Sequence, residues 1–378
     1  MLIQCTKKLI EQLNIDLMIP EEENLLFSWH ANLLTINRRK TIVLVNDKNR
    51  YIIVLHGLKA KDFKNLDEHI IQAIRETFQK ECIKDEIIEE YIHHCKKITY
   101  TKTKNRSMVA RMNKACELLW YTDDLLEDQS IYKSTISIKL SQYFVGNGNN
   151  DYIIPSEEMC KDLEIFSGQS VFGCTAAQLK ITLALEKHIV WRKIIVPINI
   201  TFKKLHHIIQ ASFGWKNYHL HEFYIYDHKI LDPTLSPNHS AYSNKNYKPI
   251  INLVCDEEAF DYENDTPMKL ETKVKLSEYL PSQIKYLYDF GDSWQHYIEV
   301  EKMINDYDKN YSVCIKGEGN TPPEDVGGEY GYEEFLHIIA NKKHPQHDEM
   351  LVWAKSQGYT NFDIEKVNKD IKFTSRMK

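Results

Sequence analysis

Tyr286-Leu287-Tyr288-Asp289-Phe290-Gly291-Asp292-Ser293-Trp294-Gln295-His296 sets two carboxylates, a glycine, a histidine and four aromatic rings into eleven positions. A solvent loop rarely carries so many bulky rings, and a core strand rarely carries two Asp. The pattern predicts a tight turn between strands, with a polar cluster held against an apolar wall. Working outward, Ile284–Asp289 and Trp294–Lys302 pair as a hairpin around Phe290–Ser293. In its second strand Trp294, His296 and Ile298 share one face, and Gln295, Tyr297 and Glu299 the other.

Upstream, two strand-like runs, Gln178–Leu185 and Trp191–Ile200, are joined by a turn at Glu186-Lys187-His188. Thr201 then caps a helix whose apolar stripe is Phe202, Leu205, Ile208 and Ile209, and Gly214 is placed to end it. A strand follows at His219–Tyr226. Hairpin, helix, then strand is the opening order of a β-grasp-like α+β domain. Asn238–Lys248 reads as a polar loop, and helices close the chain at Tyr332–Ala340, after His347 and after Asp363.

The N-terminal part reads as a separate α+β unit. Three β-rich runs, Trp29–Ile36, Thr41–Val45 and Tyr51–His56, are separated by the turns Asn37-Arg38-Arg39-Lys40 and Asn46-Asp47-Lys48-Asn49, which predicts a meander. Thr6 is placed to cap a short first helix. Ile70, Ile71, Ile74 and Phe78, then Ile87, Ile88, Tyr91 and Ile92, have helical spacing. The expected division is an α+β domain over 1–140, a linker over 141–176 centred on Gly146-Asn147-Gly148-Asn149-Asn150, and a second α+β domain over 177–378.

With 378 residues, 43% hydrophobic and 27% charged, the chain has the composition of a soluble two- or three-domain protein. A net charge of −6 gives no global attraction to nucleic acid or membrane. The eight cysteines form no Cys-x-x-Cys pair, which fits reduced thiols in a cytosol. No apolar run reaches the roughly 18 residues of a membrane span, so a cytoplasmic location without membrane contact is expected.

Several side chains are candidates for chemistry. His206 and Gln210 lie one helical turn apart, and His219 and His221 are two apart on a strand. Together His219, His221, Asp289, Asp292 and His296 offer nitrogen and oxygen ligands of the kind that hold a divalent transition metal. The plainer reading of a strand histidine beside Phe and Tyr is a half-buried, hydrogen-bonded ring. Gly317–Gly328 lacks the Gly-Lys-Ser/Thr ending of a phosphate loop and carries negative charge. Its Glu324 and Asp325 are candidate general bases or ligands, or else hold the loop against basic groups or N–H donors. Lys102, Lys104, Arg106 and Arg111 belong to a basic run between Lys96 and Lys114, which reads as a solvated face or as a phosphate-binding patch. No Gly-x-Ser-x-Gly or recognisable cysteine nucleophile is present.

Across roughly 178–370 the chain resembles the plasmid pRiA4b ORF-3-like family, also met as a passenger protein of some insertion elements. The matching residues include Trp191-Arg192, Leu205-His206, Phe213-Gly214-Trp215 and His219-Leu220-His221, then Tyr288-Asp289-Phe290-Gly291-Asp292, Trp294 and His296. They continue through Cys314, Pro322-Pro323-Glu324-Asp325-Val326-Gly327-Gly328, Gly331-Tyr332, His344-Pro345, His347 and Trp353. The resemblance implies a compact α+β fold and brings no activity with it. Gln295 stands where the family usually has an acidic residue, which argues against that side chain as a ligand. The N-terminal part, through Trp29-His30-Ala31-Asn32-Leu33 and Ile36-Asn37-Arg38-Arg39-Lys40, resembles an uncharacterised domain of bacterial proteins. Three readings therefore stand side by side. One is a binding or accessory module associated with plasmids or mobile elements and contacting nucleic acid; another is a metal-assisted hydrolase; the third is a polar network that only specifies the fold.

Overall fold

The computed structural model describes residues 1–15, 17–18, 23–121, 126, 129–148, 151–227 and 249–377, which fall into two compact units, Met1–Gly173 and Cys174–Lys378. In the first, strand β1 (Leu2–Cys5) and helix α1 (Lys7–Leu13) precede strands β2 (Ser28–Ile36), β3 (Arg39–Asn46) and β4 (Ile52–Leu58). Helices α2 (Leu66–Lys80) and α3 (Asp85–His94), strand β5 (Thr99–Lys102), and helices α4 (Arg106–Leu119) and α5 (Ser134–Ser141) follow. A ribbon of β6 (Val145–Gly148) and β7 (Asp151–Ile153) leads into helix α6 (Pro155–Ser167).

Strands β2, β3 and β4 form the expected antiparallel meander, and the parallel strands β1 and β5 extend it in the order β4-β3-β2-β1-β5. Helices cover both faces, which is why β3 and β4 are apolar at consecutive positions rather than alternating ones. Ile42, Leu44, Ile53 and Leu55 meet Ile70, Ile74 and Phe78 of α2 and Ile87 and Ile88 of α3. Val43, Val45, Ile52 and Val54 meet Met112, Cys116 and Leu119 of α4 and Ile136 and Leu140 of α5. Thr6 precedes α1, but its hydroxyl donates to Asn32 Oδ1 (3.0 Å) instead of capping the helix.

The stretch 141–176 is not the connector that its glycines and asparagines suggested. It carries β6, β7 and α6, and Met159 and Leu163 of α6 are buried in the first unit's core together with Val171. The amphipathic run after Pro155 outweighs the turn composition before it, so the boundary falls at 173/174.

The second unit is again α+β. It runs through β8 (Cys174–Leu183), β9 (Val190–Pro197), helix α7 (Phe202–Phe213), β10 (His221–Tyr226), β11 (Ile251–Val254) and β12 (Met268–Leu270). The hairpin β13 (Gln283–Tyr288) and β14 (Trp294–Tyr307), then β15 (Val313–Glu318), complete an eight-stranded sheet in the order β12-β11-β10-β13-β14-β8-β9-β15. Helices α8 (Gly328–Ala340), α9 (His347–Ser356) and α10 (Ile364–Met377) close the unit. The opening hairpin, helix and strand come in the expected order, and β11–β12 is the sheet's parallel pair. The loop expected at Asn238–Lys248 lies outside the described residues.

Helix α7 lays Phe202, Leu205, Ile208 and Ile209 on the sheet. Thr201 caps it by accepting from Lys204 N (3.3 Å), and Gly214 ends it in the left-handed region (φ 76°). In the hairpin, Tyr288 pairs with Trp294 and Tyr286 with His296, and both Tyr rings and the Trp294 and His296 rings are buried beneath α7. The five-residue turn between the strands needs positive φ at Asp289 (55°) and Ser293 (57°). Asp adopts that conformation more readily than most residues, because its side chain bonds locally.

Candidate functional site

The connection from α7 to β10, residues 214–220, is tied down along its length. Trp215 Nε1 donates to Pro322 O (3.0 Å), and Lys216 N donates to Glu324 Oε2 (3.0 Å). Asn217, at φ 60°, donates its N–H to Gln210 Oε1 (3.0 Å) and accepts from His206 Nε2 (2.6 Å). Tyr218 N donates to Tyr288 Oη (3.1 Å), and that hydroxyl donates to Glu324. Leu220 O accepts from Asp289 N (3.0 Å). Glu324 is thus buried and accepts one hydrogen bond on each carboxylate oxygen, which anchors this connection.

The anchoring sets His219 against two carboxylates. His219 Nε2 lies 2.9 Å from Asp325 Oδ1 and 3.6 Å from Asp289 Oδ2. Asp289 is buried, His219 is half-buried and Asp325 is exposed. Asp289 uses its other oxygen to accept from Gly291 N (2.9 Å) and Asp292 N (3.3 Å), which directs Oδ2 toward the histidine. One ligand atom from each of the three residues falls within 4.8 Å of the others, and among the described residues this is the His/Cys/Asp/Glu group that meets that spacing.

The other expected ligands point elsewhere. His219 precedes β10, in irregular backbone after Asn217, so the two-residue strand period does not bring His221 to the same point. His221 instead holds Glu271 Oε2 (2.9 Å), both buried, and its ring stacks on His206 at 3.4 Å and 4°. His206 Nδ1 meets Tyr286 Oη (2.8 Å), which also accepts from Gln210 Nε2 (3.1 Å). With Asn217 Oδ1 accepting from Nε2, a neutral His206 ring takes the tyrosine hydroxyl as donor to Nδ1, and the chain of bonds then runs in one direction. Asp292 Oδ2 accepts from Gly327 N (3.2 Å) at the start of α8. His296 is sealed among Phe213, Trp215 and Tyr286. Burial pushes its pKa down to about 3.

Residues 175–371 match the family described as plasmid pRiA4b ORF-3-like protein. The chain belongs to that family. Residues 2–158 match a domain of unknown function, DUF6933. The chain is 32% identical over 185 residues to an uncharacterized protein, y4hQ, of Sinorhizobium fredii (strain NBRC 101917 / NGR234), covering 49% of this chain and 84% of that one. It is also similar to a crystal structure of a protein of unknown function, MM3350 from Methanosarcina mazei Go1. There the identity is 30%, the cover is 50% of this chain and 96% of the other, and the TM-score is 0.39.

In the ORF-3-like unit, two residues have structural roles that the sequence reading does not assign. Glu271 sits in an unremarkable Leu-Glu-Thr-Lys stretch, and nothing local marks it as the partner of His221. Arg192 is buried with no carboxylate partner among the described residues. Its guanidinium donates to Ser212 O (3.1 Å), Glu318 O (2.8 Å) and Gly319 O (3.1 Å) and lies 4.2 Å from the Phe362 ring centroid. Burial lowers its pKa to about 10. It ties the Gly-rich loop to the end of α7. At Gly319 (φ 78°) a Cβ would stand 2.1 Å from Ile189 O, so only glycine fits that close approach.

In the DUF6933 region, Lys102, Lys104 and Arg106 are exposed at the end of β5 and the start of α4. Arg111 differs: it is half-buried, donates to Met108 Sδ (3.3 Å), and its charge adds to burial in lowering the pKa of Arg50. Among the described residues, no helix is long and apolar enough to cross a membrane.

Proposed function

We propose that the ORF-3-like unit binds a divalent transition metal through His219, Asp289 and Asp325 and uses it for hydrolysis. The observation that carries this reading is the meeting of one nitrogen and two carboxylate oxygens from three separate segments within 4.8 Å. Ligands about 2.1 Å from one ion stand roughly 3.0–3.5 Å apart, and separations of 2.9 Å and 3.6 Å need little adjustment. Three protein ligands leave coordination positions for water and substrate, the arrangement of a catalytic rather than a structural ion. Water bound there would be acidified and become a nucleophile. The bonds that fix residues 214–220 and the Asp289 turn support preorganisation of the ligands.

The test is metal titration of the purified chain, with Mn2+ followed by paramagnetic resonance and Zn2+ by calorimetry. One equivalent should bind. Asp325→Asn and His219→Ala should each weaken binding about tenfold or more, with melting temperature unchanged. Asn tolerates the left-handed backbone at 325 (φ 58°), so that variant removes charge without disturbing the turn. Asp292→Asn should bind metal as the parent does. Absence of stoichiometric binding, or an equal loss in Asp292→Asn, overturns the assignment.

A second reading belongs to the first unit. Lys102, Lys104 and Arg106 are exposed and make no ion pair among the described residues, which leaves them available to polynucleotide phosphates. On that reading the protein is a nucleic-acid-contacting accessory module, and the family's plasmid association gives such contact a context.

A further inference from the structure

Between the C-terminal end of α7 and the facing side of α10 lies a cavity of about 230 Å³, with His207, Gln210, Trp215, Asn217, Asp370 and Phe373 on its wall. His219, Asp289 and Asp325 do not border it. Several polar groups of the wall are already engaged. Gln210 donates to Tyr286 Oη (3.1 Å) and accepts from Asn217 N (3.0 Å), and Asn217 Oδ1 accepts from His206 (2.6 Å). Lys216 also lines the cavity, but its ammonium donates to Ser356 O (3.4 Å) and Gln357 Oε1 (2.8 Å). Asp370 differs. It is half-buried and has no hydrogen bond or ion pair among the described residues. Burial raises its pKa, against the opposing pull of Lys366 and Lys369, which are exposed on the same helix. A carboxylate drawn out of water without a donor costs free energy that a cation beside it would offset.

We propose that this cavity binds a small organic cation, a protonated amine whose ammonium meets Asp370 and whose apolar body packs on Trp215 and Phe373. Charge, size and surface select that class. Helix α7 ends at Phe213, and Ala211 and Gly214 line the cavity, so the negative end of the helix dipole, about half an elementary charge, adds to the charge of Asp370. Both repel an anion. A cavity of about 150 Å³ holds benzene, so the larger volume here takes a ring with a short aminoalkyl tail. Trp215 and Phe373 supply aromatic surface for that body and for the cation, and Phe373 is 60% exposed at the edge of α10. A neutral apolar molecule would leave the carboxylate without a partner. A bare metal ion needs further ligands, and among the described residues the His/Cys/Asp/Glu group with ligand spacing is the one at His219.

The experiment titrates the full chain, without added metal, with three probes of one shape at neutral pH: 2-phenylethylamine, 2-phenylethanol and 3-phenylpropionate. Calorimetry reads the affinities. The amine should bind about tenfold or more tightly than the alcohol, the scale of one charge-assisted hydrogen bond, and the carboxylate most weakly. Asp370→Asn keeps the size of the side chain and removes its charge; it should bring the amine down to the alcohol and leave the alcohol unchanged. Phe373→Ala changes an exposed side chain, so the fold is retained, and it should weaken the amine and the alcohol alike. Equal affinity for amine and alcohol in the parent overturns the proposal. So does a preference for the amine that survives Asp370→Asn, and so does the absence of amine binding. Because no added metal takes part, each of these results leaves the assignment of His219, Asp289 and Asp325 to its own test.

Discussion

His206, His221 and His296 look alike in the sequence, each beside aromatic residues, yet their surroundings give them different work. His206 and His221 are held by Tyr286, Asn217 and Glu271 and stack on each other. His296 lies with its ring centroid 4.8 Å from Phe213 and 5.2 Å from both Trp215 and Tyr286, and burial lowers its pKa from 6.5 to about 3. The folded state therefore keeps this ring neutral, while the unfolded chain takes up a proton below pH 6.5. Between those two values the unfolded state binds more protons, so stability is present above pH 6.5 and is lost as pH falls. The slope is about 1.4 kcal/mol per pH unit, or about 2 kcal/mol between pH 6.5 and 5. His296→Leu, of similar volume, should fold and lose less stability over that interval. Urea titrations of both proteins at the two pH values measure the difference; parallel losses would show that the ring is protonated in the fold.

At the scale of elements, the hairpin was legible because alternating burial and a turn rich in Asp, Gly and Ser agree with each other. The β2–β4 meander, the two helices after it and the Thr201–Gly214 limits of α7 were legible for the same reason: periodicity and end signals coincide. What the sequence hid are elements defined by distant partners. Strand β1 is four residues long and exists through parallel pairing with β2 and β5, and α6 was masked by the turn-rich residues before it. The candidate site was half legible. His219, Asp289 and Asp325 are each singled out by the sequence, Asp325 as a candidate general base or ligand. His221 is grouped with His219 on a strand periodicity that starts only at His221, and His296 joins them from the hairpin, where its ring is buried. The basic run resolves into two elements of different exposure, β5 with its following turn and α4, which makes a test possible. If Lys102, Lys104 and Arg106 contact phosphates, changing all three to Gln should flatten the salt dependence of single-strand binding by about 2 in the log–log slope. Arg111, half-buried on α4 beside Met108, should contribute little. Binding that does not vary with salt, or none, removes the nucleic-acid reading of this element.

At the scale of the whole molecule, two units with separate cores make a prediction that one unit could not. The first unit closes its core with its own α6 and Val171, and the second begins its sheet at Cys174. A ligand that binds one folded unit stabilises that unit by RT ln(1 + [L]/Kd), about 2.7 kcal/mol at a hundredfold excess over Kd. If His219, Asp289 and Asp325 hold an ion, saturating Mn2+ should raise one of two calorimetric transitions by several degrees and leave the other in place. In Asp325→Asn neither transition should move. The same scan separates two meanings of metal binding: an ion held by surface carboxylates shared among both units would shift both transitions weakly, and Asp325→Asn would still respond. A single transition that moves as a whole would instead mean that the two cores unfold as one cooperative body, and the division at 173/174 would then be a boundary of contacts but not of stability.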